Sequence, residues 1–125
     1  MKGMQWDSST FEELAASREP DVVVPAPDRA PIRVPIWVVA VDGGIYVRSW
    51  KGEAGRWYRR ARRYGSGSLA TSAGERAVRF VPVDDAELDA AIDREYLVKY
   101  GRNRYARAMI RPPATGTTLR LDPAD

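Results

Sequence analysis

The stretch Ile45–Tyr64 holds Arg48, Lys51, Arg56, Arg59, Arg60, Arg62 and Arg63 together with Trp50 and Trp57. Lys and Arg give charge-assisted hydrogen bonds to phosphate or carboxylate oxygens, so this is the segment whose residue types suit an anion best. Inside it, Ser49-Trp50-Lys51-Gly52 is the most compact motif; its plain alternative is an ordinary turn after a strand. Residues 51–64 carry six basic and one acidic side chain, 84–95 six acidic and one basic, and 99–111 five basic and none acidic. The net charge of +3 therefore hides two basic clusters and one acidic one, and basic clusters concentrate anions of any kind. In the second basic cluster, Lys99, Arg102, Arg104 and Arg107 alternate with Tyr100 and Tyr105. That pattern suits either nucleic acid or pairing with the adjacent acidic segment, and we favour the pairing. Nucleic acid is not an expected partner.

With no cysteine and no histidine, the chain has no disulfide, thiol nucleophile, Ser-His triad or histidine acid-base pair. A metal site would have only carboxylates, and none is expected. Chemistry is left to a cofactor, to Tyr, Lys or Asp/Glu, or to binding alone; Tyr58, Tyr96 and Tyr100 are the candidate acids or bases. Asp84 and Asp85 read as helix caps rather than a catalytic carboxylate pair. The longest apolar run, Pro35–Val41, is strand-sized and the N-terminal residues lack a signal-peptide core. A cytoplasmic protein with no membrane segment is expected.

The elements that must carry these residues follow from pattern. Hydroxyl caps at Ser8–Thr10 open a short helix. Five prolines between Pro20 and Pro35 indicate an extended connector with one short strand at Asp21–Val24. Residues 1–31 are accordingly set apart as helix and connector from a main domain at 32–125, within one domain overall. Ile36–Val41 is a strand apolar on both faces, Asp42-Gly43-Gly44 a type I′ hairpin signal, and Ile45–Trp50 the return strand. Arg56–Tyr64 is a helix with Trp57, Ala61 and Tyr64 on one face. Arg59, Arg62 and Arg63 lie opposite and Arg60 at the boundary, a row that serves either as a solvated face or as an anion contact. Gly65 ends it. Strands Ser68–Ser72 and Glu75–Val83 come next, then a helix capped at Asp84-Asp85-Ala86-Glu87 with Leu88, Ile92, Tyr96 and Tyr100 along one stripe. A closing strand falls at Thr117–Leu121. The expectation is an α+β fold: a small antiparallel barrel of five to six strands with about three packed helices, whose doubly apolar strands favour a homodimer.

The order Arg33-Val34-Pro35-Ile36-Trp37, Gly44–Gly52 and Arg56-Trp57-Tyr58 resembles an uncharacterised bacterial family, domain of unknown function family 2255. It is also similar to the split-barrel flavin- and deazaflavin-dependent reductases, over roughly residues 32–123. The resemblance implies a split β-barrel dimer that binds FMN or a deazaflavin coenzyme, hence an oxidoreductase. It places Arg48, Ser49, Lys51 and Gly52 at the cofactor phosphate, Pro35, Ile36 and Trp37 along the ring, and Trp57 at the pocket border. Arg60, at the edge of the helix, joins this set. Deazaflavin-dependent relatives carry a Gly-Arg-Lys-Ser/Thr-Gly type of segment where this chain has Ala26-Pro27-Asp28-Arg29-Ala30-Pro31. The competing reading is a cofactor-free module of the same fold for a small anionic ligand, a phosphate-bearing one among them, or a protein partner.

Overall fold

The computed structural model describes residues 5–124. Seven antiparallel strands form one sheet: β1 (Asp21–Ala26), β2 (Arg29–Pro35), β3 (Val38–Val41), β4 (Gly44–Val47), β5 (Ser66–Thr71), β6 (Gly74–Pro82) and β7 (Leu119–Pro123). Their spatial order is β2-β1-β5-β6-β7-β4-β3. The helices are α1 (Ser8–Ala16), α2 (Arg56–Tyr64) and α3 (Ala86–Tyr100), with short 3-10 turns at Gly52–Ala54, Ala106–Ile110 and Ala114–Thr117.

The sheet curls because its two edge strands are neighbours in the chain. Only Ile36 and Trp37 lie between the end of β2 and the start of β3, and three Cα steps span at most about 11 Å. One corner of each edge is thereby held beside the other, which makes the sheet an α+β half-barrel. The strand count is seven, not the five to six expected from sequence. The shortfall lies in the proline-rich stretch, which is the β1–β2 hairpin, registered Asp21↔Pro35 through Ala26↔Arg29. Proline is tolerated there for two reasons. β2 is an edge strand, so Pro31 and Pro35 need no donor on the open side; Pro25 sits where the register shifts between Val24 and Ala26.

Local signals elsewhere match the chain's turns and caps. Asp42 (φ 47°) and Gly43 (φ 83°) form the tight turn between Val41 and Gly44, as a type I′ hairpin requires. Gly65 takes a left-handed conformation and its N–H closes α2 on the Ala61 carbonyl. One cap differs by a residue from the sequence reading: Asp7, not a hydroxyl, caps α1 by accepting the Thr10 N–H. Of the two aspartates read as caps for α3, Asp85 is the one that accepts the Leu88 N–H.

Both faces of β3 and β4 are buried, and each face has its own core. Val38, Ile45 and Val47 join Leu14, Val22, Leu69 and Leu121 inside the half-barrel. Val39, Val41 and Tyr46 pack against Ile92, Tyr96, Tyr100 and Met109 on the α3 side. The doubly apolar pattern is therefore satisfied within one chain. Lys99, at the end of α3, donates to the carbonyls of Ala15 (2.8 Å), Ser17 (2.7 Å) and Val38 (2.8 Å) and so ties α3 to α1 and β3. Burial, then the nearby Arg18 cation, lowers its pKa to about 8. Lys99→Met should lower unfolding stability by about 2 kcal/mol, because three charge-assisted bonds to inward carbonyls are lost; urea denaturation at neutral pH measures this.

Candidate functional site

Where the sheet's two edges meet, a cleft of about 410 Å³ opens. Pro35, Ile36 and Trp37 line it from the β2–β3 corner, Arg48 and Trp50 from the chain leaving β4, and Trp57 from α2. Tyr105 and Met109 close it from the segment after α3, and Glu19 from the segment before β1. Each ring is held by something else in the fold. Trp37 stacks on Tyr100 with centroids 4.3 Å apart and planes 1° from parallel, and its carbonyl accepts the Tyr96 hydroxyl at 3.1 Å. Trp57 is buried edge-on against Tyr58. At the rim Trp50, 55% exposed, meets Tyr105 in an edge contact of 6.2 Å. Fixed aromatic faces around a concavity of this size suit a flat ring, since stacking loses little side-chain freedom.

Arg48 shows why this wall is not a simple cationic one. Its side chain is fully buried, and every N–H is engaged inside the protein. Nε donates to Thr118 Oγ1 (2.9 Å), one terminal nitrogen to Asp93 (2.6 Å) and the Met109 carbonyl (2.9 Å). The other reaches the carboxylate (3.2 Å) and carbonyl (3.3 Å) of Asp89. The five donors of a guanidinium are thereby used. Asp89 and Asp93 lie one turn apart on α3, so within this chain these two acids pair with Arg48 rather than with the basic cluster that follows the helix, the intramolecular form of the pairing favoured from sequence.

The other residues singled out from sequence are distributed as follows. Ser49, Lys51 and Gly52 do not line the cleft. The Ser49 N–H donates to Thr117 Oγ1 (2.8 Å), while its buried hydroxyl faces Gly55 and has no partner among the described residues. Gly52, at φ +66°, turns the chain against Pro113, and Lys51 is exposed. Arg60, on α2, does not line the cleft either; it donates to the carbonyls of Val24 and Ala30. Tyr58, Tyr96 and Tyr100 are buried outside the cleft lining. Burial raises the pKa of Tyr96 and pushes that of Tyr100 up to about 12, so neither forms a phenolate base near neutral pH. Sequence reading did not place Tyr105, Met109 or Glu19 at the site, and named Trp50 without placing it there. Of these, only Trp50 carried a signal, as the indole within the Ser49–Gly52 motif. No group of three or more metal-ligating side chains occurs among the described residues, and no helix among them is long and apolar enough to cross a membrane.

Fold and cleft together define a split-barrel protein. The structure aligns with a heme storage protein of Vibrio cholerae at a TM-score of 0.71 and 12% identity, over 98% of this chain and 92% of that one. It aligns with an FAD-binding protein of Mesorhizobium loti at 0.61 and 14% identity, over 96% and 91% of the two chains. A protein described as an F420 reductase aligns at 0.57 and 12% identity, over 90% of each. At such identities the likeness is one of fold. A search of curated proteins finds no match. The chain belongs to the family described as "Uncharacterized protein conserved in bacteria (DUF2255)", whose family model matches residues 10–121.

Proposed function

We propose that this protein binds a planar heteroaromatic ligand in the tryptophan cleft, the ring of a flavin or deazaflavin coenzyme being the occupant, and that it serves as an oxidoreductase through that coenzyme. The observation that carries the reading is the convergence of Trp37, Trp50 and Trp57 on one cleft with Pro35 and Ile36. The fold it shares with an FAD-binding protein and an F420 reductase supports it.

The residues fit the ring of such a coenzyme better than its phosphate. Three indoles and Tyr105 offer faces and edges, and Met109 a polarisable contact. The cleft's one cation, Arg48, has all its donors engaged, and the other charged group on the wall is Glu19. FMN or a deazaflavin would bring the hydride chemistry; the chain's own share is to hold the ring and keep water from it. No cleft residue stands out as a proton donor. A homodimer belongs to this reading, with Trp50 and Tyr105, each about half exposed at the rim, as rings for a second copy to cover.

The test is a titration of intrinsic tryptophan fluorescence with riboflavin, FMN and a deazaflavin. Micromolar quenching is expected, with riboflavin and FMN within about threefold of each other. A phosphate held by a free cation would instead add about 1.5–3 kcal/mol. Trp50→Ala, at an exposed rim, should weaken the ring by about tenfold, since one stacking face is worth about 1–3 kcal/mol. A colourless protein that none of the three compounds quenches would sink the reading.

A further inference from the structure

Across α2 from the tryptophan cleft, a second concavity of about 230 Å³ lies between the helix and the β1–β2 hairpin. The two hollows share no lining residue. Arg56, Arg59, Arg60 and Arg63 line this one from α2 and Arg29 from the hairpin, with Tyr64 beside them. The helical four converge because spacings of three and four residues stack side chains along one face. Arg29 is brought opposite by the tight turn that pairs it with Ala26.

Three features separate this pocket from a solvated arginine face. No carboxylate lines it, and none of its five arginines is in an ion pair among the described residues. By contrast Arg33, Arg48, Arg76 and Arg120 each have a carboxylate partner. Second, the carbonyls of Val24 (3.2 Å) and Ala30 (2.9 Å) hold one terminal nitrogen of Arg60 and leave its remaining donors without a protein partner among the described residues. Third, the Arg63 guanidinium lies over the Tyr64 ring, 5.3 Å from its centroid, so a second fork is held at the pocket.

We propose that this pocket is an anion site for the diphosphate group of a small molecule. Gathered like charges repel one another, and a compact polyanion relieves that repulsion where a single carboxylate leaves most of it. Planar guanidinium forks match phosphate oxygens in pairs. A nucleic-acid strand needs a groove with several stacking rings, whereas here a short concavity offers Tyr64 alone. The proposal does not depend on what occupies the tryptophan cleft.

Isothermal titration of the full chain with pyrophosphate, orthophosphate and sulfate at matched ionic strength tests it. Saturable one-to-one binding of pyrophosphate is expected, at least about tenfold tighter than sulfate, from the added charge-assisted bonds. The double variant Arg59→Gln/Arg63→Gln removes two side chains that make no hydrogen bond within the described residues, so its thermal melt should match the parent. Its pyrophosphate affinity should fall about tenfold or more, with riboflavin quenching unchanged; Arg29→Gln serves as the second variant should the double one unfold. Equal weak binding of all three anions marks plain charge screening and overturns the proposal. So does an affinity unchanged in both variants, or a single-stranded oligonucleotide that outcompetes pyrophosphate.

Discussion

Arg48→Met is expected to lower the unfolding free energy by about 3 kcal/mol, the low end of the cost of breaking a buried ion pair from one side. Methionine fills much of the space but leaves Asp89, Asp93, the Met109 carbonyl and Thr118 without their common donor. The low end applies because the two carboxylates are about one-third exposed and regain some water. Adding Asp93→Asn to Arg48→Met should recover part of the loss, since an uncompensated charge is then removed. Urea unfolding of the single and double variants provides the measurement. If Arg48→Met stays within about 0.5 kcal/mol of the parent yet equalises the affinities for FMN and riboflavin in a parent that prefers FMN, Arg48 is a phosphate ligand after all. That outcome would reverse the assignment drawn from its hydrogen bonds.

The second large effect is expected at Gly52. Gly52→Ala should cost about 3 kcal/mol, combining about 1–2 kcal/mol for a left-handed backbone with about 1–3 kcal/mol for overpacking. The backbone stands at φ +66°, and an added Cβ would strike the Pro113 ring and approach its carbonyl. Gly43→Ala is the control: φ is +83°, but nothing lies within 4 Å of the added carbon. Its cost should be confined to the backbone share, about 1–2 kcal/mol. The difference in urea midpoint between the two variants isolates the Pro113 contact. Equal midpoints would mean that the contact carries no weight and that Gly52 is there for its backbone conformation alone.

Both residues belong to the set that the family resemblance places at a cofactor phosphate, and their surroundings explain how far such a set can be read from sequence. Arg48 and Gly52 appear in the chain as a cation and a flexible residue near a Ser and a Lys, the composition of an anion loop. Their partners, Asp89 and Asp93 on α3 and Pro113 beyond it, lie 41, 45 and 61 positions away, and no local pattern announces such pairings. Trp37 and Trp57 were legible as residues of the cleft wall because the family resemblance includes both. Tyr105 and Met109 were not, because they reach the cleft from an irregular segment without periodicity. The arginine pocket was half legible: a stripe on α2 follows from spacing, but Arg29 joins it only once the proline-rich stretch is known to be a hairpin.

By itself the sequence determined what depends on a few neighbouring residues: the Asp42-Gly43 turn, the left-handed Gly65 cap, the three helices and the two apolar faces of β3 and β4. Backbone dihedral preference and side-chain period settle these features over one or two turns of chain. Tertiary structure alone decided that a proline-rich stretch makes two strands, and that Arg48 is spent on α3. It also decided that three tryptophans meet in one cleft. These outcomes rest on contacts between distant segments, whose free energy exists only once the curled sheet has brought its two edges together.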